Sequence, residues 1–295
     1  MLKIKPELVL KIDAILGESP RWSEKEKVLY WVDILSCQLH RFDPYSKKNT
    51  TDFFDESVTA IGFCSDQKLI LALQSGIAFY DLQTQVLEKI CEPEKPLPNN
   101  RFNEGKCDRQ GRFWCGTMNN KGDPFLDSGN LYRFDINHHA TLVQNHVKLS
   151  NGMGWSPDNK IMYFTETGRH TIFAYDFEPE TGNISNRKIF ASIEPYPDGG
   201  PDGLTVDREG YVWSAYYGKG MIVRYTPQGT IERMIEVPVP KVTSCTFGGT
   251  DLKTLFITTA QEHMTEKQIE DFPLSGSLFA YESDIQGLPE GFYRG

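Results

Sequence analysis

Positive charge is in deficit here, long apolar runs are missing, and no two cysteines are closely spaced. Each absence removes a class of function. The chain holds 31 Lys+Arg against 40 Asp+Glu, a formal net charge of −9. Phosphate backbones and anionic lipid surfaces repel such a surface, so neither nucleic acid nor membrane is expected as a partner. The apolar run Leu69 to Leu73 is five residues long, far short of the roughly 20 that span a bilayer as a helix. Lys11 and Asp13 interrupt the apolar N-terminal stretch, and no small-residue cleavage pattern follows, so these residues do not read as a signal peptide. The 6 cysteines include no Cys-x-x-Cys, and a chain of this length needs no disulfide framework. They read as reduced thiols in a cytoplasmic protein. The sequons at Asn49 and Asn183 then read as turn chemistry. Gly-x-Ser-x-Gly and His-Glu-x-x-His are also missing, which removes the usual signatures of serine hydrolases and zincins.

What the chain has is turns, aromatics and a repeat. Its 295 residues include 25 Gly, 17 Pro, 18 Phe, 13 Tyr and 5 Trp, a composition that excludes disorder, collagen and coiled coil. A polar turn feeding an apolar strand recurs as SEKEKVLYW (23–31), SDQKLILA (65–72), DRQGRFWC (108–115), SPDNKIMYF (156–164), DREGYVWS (207–214) and GGTDLKTLFI (248–257). Taking Tyr30, Ile70, Trp114, Tyr163, Trp213 and Phe256 as equivalent gives spacings of 40, 44, 49, 50 and 43, which suit a four-stranded blade. A second strand ending in an aromatic residue and a turn-former follows each copy, as in GNLYRFDIN (129–137). Six paired copies without a convincing amphipathic helix between them predict an all-β protein, a six-bladed β-propeller. The alternating segment Glu7 to Leu16 is expected to add an outer strand to the C-terminal blade and close the ring, making one domain of residues 1–295. No Trp-Asp or Gly-His dipeptide occurs, which counts against the common protein-interaction propellers.

Equivalent positions in a propeller lie at equivalent distances from its axis. Counting back 11 or 12 residues from each anchor reaches Glu18, Thr59, Asn103, Asn151, Asp202 and Ser244, all polar. Innermost strands begin at the axis, so Glu18, Asn103, Asn151 and Asp202 are expected to converge at one mouth of the channel. Two carboxylates gathered in a partly dry site repel, and a proton or a cation between them relieves the repulsion. Oxygen-only donors suit Ca²⁺, Mg²⁺ or Mn²⁺, and Zn²⁺ also accepts carboxylates. Alone, Asn151-Gly152 or Asp202-Gly203 would read as turn chemistry. Their shared register is what points to a site.

The segments GESPRW (17–22), RFNEGK (101–106), CGTM (115–118), SNGMGWS (150–156), PDGLTVD (201–207) and TSCTFGG (243–249) together resemble the regucalcin (senescence marker protein)/gluconolactonase family, in order along the whole chain. The resemblance implies a six-bladed propeller with one catalytic divalent metal that hydrolyses sugar-acid lactones. It places Glu18, Asn151 and Asp202 as metal ligands, Asp202 also as general base, and Arg101 and Asn103 against the substrate hydroxyls. In animal members the stretch after Gly-Thr-Met supplies an acidic substrate contact. Here it reads Asn119, Asn120, Lys121, so Asn120 and Lys121 become the candidate substrate contacts and the particular sugar is left open. Gly154 and Glu104 stand where many members have Asp. The implied chemistry is polarisation of the lactone carbonyl by the metal while Asp202 takes a proton from water. A non-catalytic Ca²⁺-binding regulator of the regucalcin type is the alternative. The expected partner is a small sugar lactone, and the expected assembly is a monomer or weak homo-oligomer. The Asn119 to Ser128 stretch is long enough for a lid or a plain loop. The mixed-charge run Thr265 to Asp271 suggests a helical turn with a solvated face.

Overall fold

The computed structural model describes residues 5–64, 67–196 and 199–295. Ser65 and Asp66, which open the second repeat copy, lie outside the described residues. Strand β1 (Glu7–Leu10) comes first, followed by β2 (Gly17–Ser23), β3 (Val28–Asp33), β4 (Gln38–Asp43) and β5 (Lys48–Phe53). The second blade is β6 (Val58–Phe63), β7 (Lys68–Leu73), β8 (Ile77–Asp81) and β9 (Leu87–Cys91). The third is β10 (Asn100–Cys107), β11 (Phe113–Asn119), β12 (Gly129–Phe134) and β13 (Ala140–Val147). The fourth is β14 (Ser150–Trp155), β15 (Ile161–Glu166), β16 (Thr171–Glu178) and β17 (Asn183–Ser192). The fifth is β18 (Gly200–Val206), β19 (Val212–Tyr217), β20 (Met221–Tyr225) and β21 (Ile231–Glu236). The last contains β22 (Val242–Gly248), β23 (Thr254–Thr259) and β24 (Leu278–Glu282), with β1 as its outermost strand.

These are six four-stranded antiparallel sheets, and each inner strand touches the inner strands of both neighbours, β22 meeting β2 to complete the ring. Burial follows the sequence. Inner strands such as VTAIGF and second strands such as VLYWVD are buried on both faces because blades pack against both sides of them. Outer strands are polar and largely exposed, as in KNTTDF and NISNRKIFAS. Two copies of the repeat share an anchor: Asp108 Oδ2 accepts the Trp114 indole N–H at 2.9 Å, and Asp207 Oδ2 accepts that of Trp213 at 2.8 Å.

β1 pairs with β24 through Glu7–Ala280, Leu8–Phe279 and Leu10–Leu278. The strand was expected to run to Leu16, and it stops at Leu10. The carboxylate of Asp33 draws the following chain inward by accepting the Ile15 and Leu16 N–H groups at 2.9 and 3.0 Å. The mixed-charge run forms α1 (Glu266–Asp271), with a capping box between Thr265 and Gln268 and no buried residue. All 6 cysteines are free thiols. No helix among the described residues is long and apolar enough to cross a membrane. After β24 the chain crosses the end of the ring where the inner strands finish. Gly287 bridges Asp207, the Tyr293 N–H reaches Phe63 O at 2.7 Å, and the Arg294 N–H reaches Gly111 O at 3.0 Å. Tyr293 is fully buried under this strap.

Candidate metal and substrate site

Every inner strand carries a bulge near its start, and the bulges place the site residues. Register shifts fall between Glu18 and Arg21, Val58 and Ala60, Phe102 and Glu104, Ser150 and Met153, Pro201 and Leu204, and Val242 and Ser244. A bulge bends the strand and frees a side chain from the alternation of the sheet. Cross-strand partners of the six anchors are Arg21, Gly62, Lys106, Gly154, Thr205 and Thr246. The residue three positions earlier is Glu18, Thr59, Asn103, Asn151, Asp202 or Thr243. In the last blade the equivalent residue is therefore Thr243. Ser244, which counting from Phe256 had suggested, is paired with Thr258; the longer turn of that copy displaced the count by one.

Asn151-Gly152 and Asp202-Gly203 are not turns. They lie in inner strands, where neighbouring backbones come so close that a Cβ on Gly152 would sit 2.3 Å from Leu204 N and one on Gly203 would sit 2.1 Å from Ser244 Oγ. The glycines let adjacent blades approach the axis.

The six ring positions then divide by chemistry. Thr59 donates to Ala72 O at 3.2 Å and Thr243 to Gly17 O at 2.5 Å, so both hydroxyls are spent on backbone. The other four keep oxygen atoms at the mouth. Asn103 Nδ2 donates to Asn151 Oδ1 at 3.1 Å and to Ser150 O at 2.8 Å. Asn151 Nδ2 donates to Thr167 Oγ1 at 2.8 Å, and that hydroxyl donates to Pro201 O at 2.7 Å. Arg101 Nη1 donates to Asn103 Oδ1 at 2.6 Å, and its Nε donates to Asn120 Oδ1 at 2.9 Å. Glu18 Oε2 accepts the Ser19 N–H at 3.2 Å. Asp202 Oδ1 is buried with no hydrogen-bond partner among the described residues. The structure thus joins Arg101, Asn103, Asn120 and Asn151 in one network. Lys121 stands next to it, exposed on the loop.

Charge is concentrated beside this network. Burial holds the Asp202 carboxyl well above its ordinary value, and the charges of Glu18, Glu104 and Glu262 push it further. Glu18 is raised by burial and by Glu104, against the opposing pull of the Ser19 N–H, Arg101 and Arg21. One layer deeper, Arg21 pairs with Glu104 at 2.9 Å. Deeper still, Lys106 lies 3.5 Å from Glu290 of the C-terminal strap, whose carboxylate also accepts Thr246 Oγ1 at 2.8 Å.

The count along the sequence looked only ahead of each repeat and so missed Glu262, Tyr217 and Tyr196. The second strand of each blade returns to the same end of the ring, so the end of β19, with Tyr217, and the loop after β23, with Glu262, also reach the mouth, as does the loop before β18 that carries Tyr196. Tyr196 donates to Tyr217 O at 2.7 Å, and the charge of Asp202 helps burial raise both phenols.

Residues 16–261 match the model of the SMP-30/Gluconolactonase/LRE-like region. The chain belongs to this family. Within this SMP-30/gluconolactonase-like group it is 35% identical to the 6-deoxy-6-sulfogluconolactonase of Pseudomonas putida over 97% of this chain and 98% of that one. It is 32% identical to Bos taurus regucalcin, with both chains covered in full at 100%. Among solved structures it is similar to the calcium-binding protein regucalcin of Agrobacterium tumefaciens, with a TM-score of 0.94, 28% identity, and coverage of 99% of this chain and 98% of that one.

The residues present fit a divalent cation. A buried carboxylate oxygen lacks any partner among the described residues, a second buried carboxylate presses on it, and amide oxygens lie beside them. No group of three His, Cys, Asp or Glu side chains gathers among the described residues. That donor chemistry is hard and oxygen-only.

Proposed function

We propose that this protein hydrolyses sugar-acid lactones of the gluconolactone type, with Glu18, Asn151 and Asp202 holding one divalent cation and Asn103 beside it. The observation that carries the reading is the unpartnered, buried Asp202 oxygen in a site with a second acid. When bound, the cation supplies Lewis acidity toward the lactone carbonyl. Asp202 accepts a proton from the attacking water, whose oxygen bonds to the carbonyl carbon. As the ring C–O bond breaks, the departing oxygen takes up a proton and a hydroxy acid leaves. Arg101 and Asn103 orient the ring by hydrogen bonding to its hydroxyls, and Asn120 holds the guanidinium from its far side. Lys121, exposed in the loop after β11, is the proposed contact for an anionic substituent, and the Pseudomonas putida relative is named for a sulfonated sugar lactone. Free thiols at all six cysteines suit a cytoplasmic setting. A monomer or weak homo-oligomer suffices, since one chain supplies every residue named here.

The test is acid release from glucono-1,5-lactone by purified protein supplied in turn with Mn²⁺, Zn²⁺, Mg²⁺ or Ca²⁺. Turnover with at least one ion, abolished in Asp202→Ala with the circular dichroism spectrum retained, supports the proposal. Absence of turnover above background with every ion overturns it. The name of the Agrobacterium neighbour favours a second reading, a Ca²⁺-binding role without catalysis. Tight Ca²⁺ binding with no lactone turnover would establish that reading instead.

A further inference from the structure

The sequence ahead of the repeats supplies donors for a polyhydroxylated ring but few free acceptors. Asn120 Oδ1 is taken by Arg101 Nε, and Asn103 Oδ1 by Arg101 Nη1. One carboxylate at the mouth remains lightly used. Glu262 follows β23, its N–H donating to Ile15 O at 2.8 Å, and nearby Ala260 bridges Leu16, two residues before Glu18. The Tyr217 hydroxyl donates to Glu262 O at 3.1 Å and reaches its Oε2 only at 3.5 Å. The other oxygen stands 3.6 Å from the ring of an exposed histidine, His263, and the Glu262 side chain keeps 22% of its surface open.

Three blades away around the six-bladed ring, at the start of β10, is the guanidinium of Arg101. This group spends Nε and Nη1 on Asn120, Asn103 and Phe102 O, and its Nη2 has no hydrogen-bond partner among the described residues. Glu262 is the strongest favourable charge acting on Arg101, ahead of Glu18, yet the two do not close to an ion pair among the described residues. A donor and an acceptor of opposite charge thus stand on opposed blades at the same mouth without pairing among the described residues.

We propose that Glu262, backed by the Tyr217 hydroxyl, is the acceptor that binds the substrate's ring hydroxyls across the mouth from Arg101, and that it selects polyhydroxylated lactones over bare ones. This rests on the lactonase reading for its substrate, and for its binding on the opposed blade positions of the two groups and the open surface of Glu262. Glu262 is a substrate-contacting residue here, and Tyr217 is a positioning residue.

Calorimetry with metal-loaded protein and 1,5-anhydro-D-glucitol, a hydroxylated ring with no scissile ester, separates binding from turnover. Glu262→Gln is expected to bind it about tenfold more weakly than the parent chain, the loss of one charge-assisted hydrogen bond. In turnover the same variant raises KM for glucono-1,5-lactone by a similar factor and KM for δ-valerolactone by clearly less, while any change in kcat from the lost charge near Asp202 is common to both substrates. Equal binding by parent and variant, binding by neither, or an equal loss on δ-valerolactone overturns the inference. A parent chain that hydrolyses no lactone but binds the polyol in a Glu262-dependent way refutes the catalytic reading and upholds this one.

Discussion

Asp202→Asn should disable the protein and stabilise its metal-free form. The carboxyl is buried, one of its oxygens has no partner, and Glu18, Glu104 and Glu262 all oppose its ionisation. The amide has nearly the same volume and no charge, so the substitution relieves repulsion without opening a cavity. Relief of one unsatisfied, desolvated acid is about 2 kcal/mol. In a chain of this size that corresponds to a rise in Tm of about 4 °C. The pH dependence has a definite sign. A carboxyl whose folded pKa is raised favours the folded state while protonated and loses that contribution as pH climbs from its ordinary value of 3.8 toward the folded value. The variant's advantage is therefore absent in acid and grows as pH rises above 3.8. A divalent cation reverses the order, since saturation at 100 times Kd stabilises the parent chain by about 2.7 kcal/mol and the variant by less. Scanning calorimetry of both proteins, with chelator and with excess metal, reads all of this. A metal-free variant no more stable than the parent at neutral pH would refute the reasoning.

Two further changes probe the frame around the site. Glu290→Ala leaves Lys106 buried without its carboxylate and should cost about 3 kcal/mol or more, lowering Tm by at least about 6 °C; Glu290→Gln, which keeps the bond from Thr246, should lose less, and equal Tm values for all three proteins would show that the strap holds nothing. Gly203→Ala drives a methyl to 2.1 Å from Ser244 Oγ and should cost about 1–3 kcal/mol while weakening metal binding, because Asp202 is the preceding residue; Ser244→Gly added to it should recover part of both losses in a titration followed by thermal shift.

The ring and most of its site were legible because they repeat. Six copies of one pattern report on one another, so a polar residue that is ambiguous alone becomes informative in register, as with Asn151 and Asp202. Departures from the repeat were legible to the degree that they were local. Thr243 was missed for Ser244 because a longer hairpin shifts a count along the chain but not a count across the sheet. The end of β1 at Leu10 depends on a carboxylate from another strand, Asp33, which nothing in residues 11–16 announces. Glu262 reaches the mouth from the loop after β23, where no register exists to compare, and Tyr217 from the last residue of β19, a position the count ahead of each repeat never examined. The strap is the extreme case. Glu290 reads as an ordinary surface acid in LPEGFYRG, and only the closed ring supplies the buried Lys106 that gives it a partner.

That partner explains how a chain with nine excess negative charges keeps acids on its own axis. Below the mouth the buried charges cancel in layers, Arg21 with Glu104 and Lys106 with Glu290. At the mouth they do not: the strongest opposing charge on Glu18 is Arg101, whose hydrogen bonds among the described residues go to amides and backbone and not to either acid. Were Lys106 or Arg21 left unpaired, its positive charge would compensate the acids from below and weaken the pull on an incoming cation. By neutralising Lys106 the strap leaves that deficit at the mouth, so a residue at the opposite end of the channel helps set the field that the proposed divalent ion would meet.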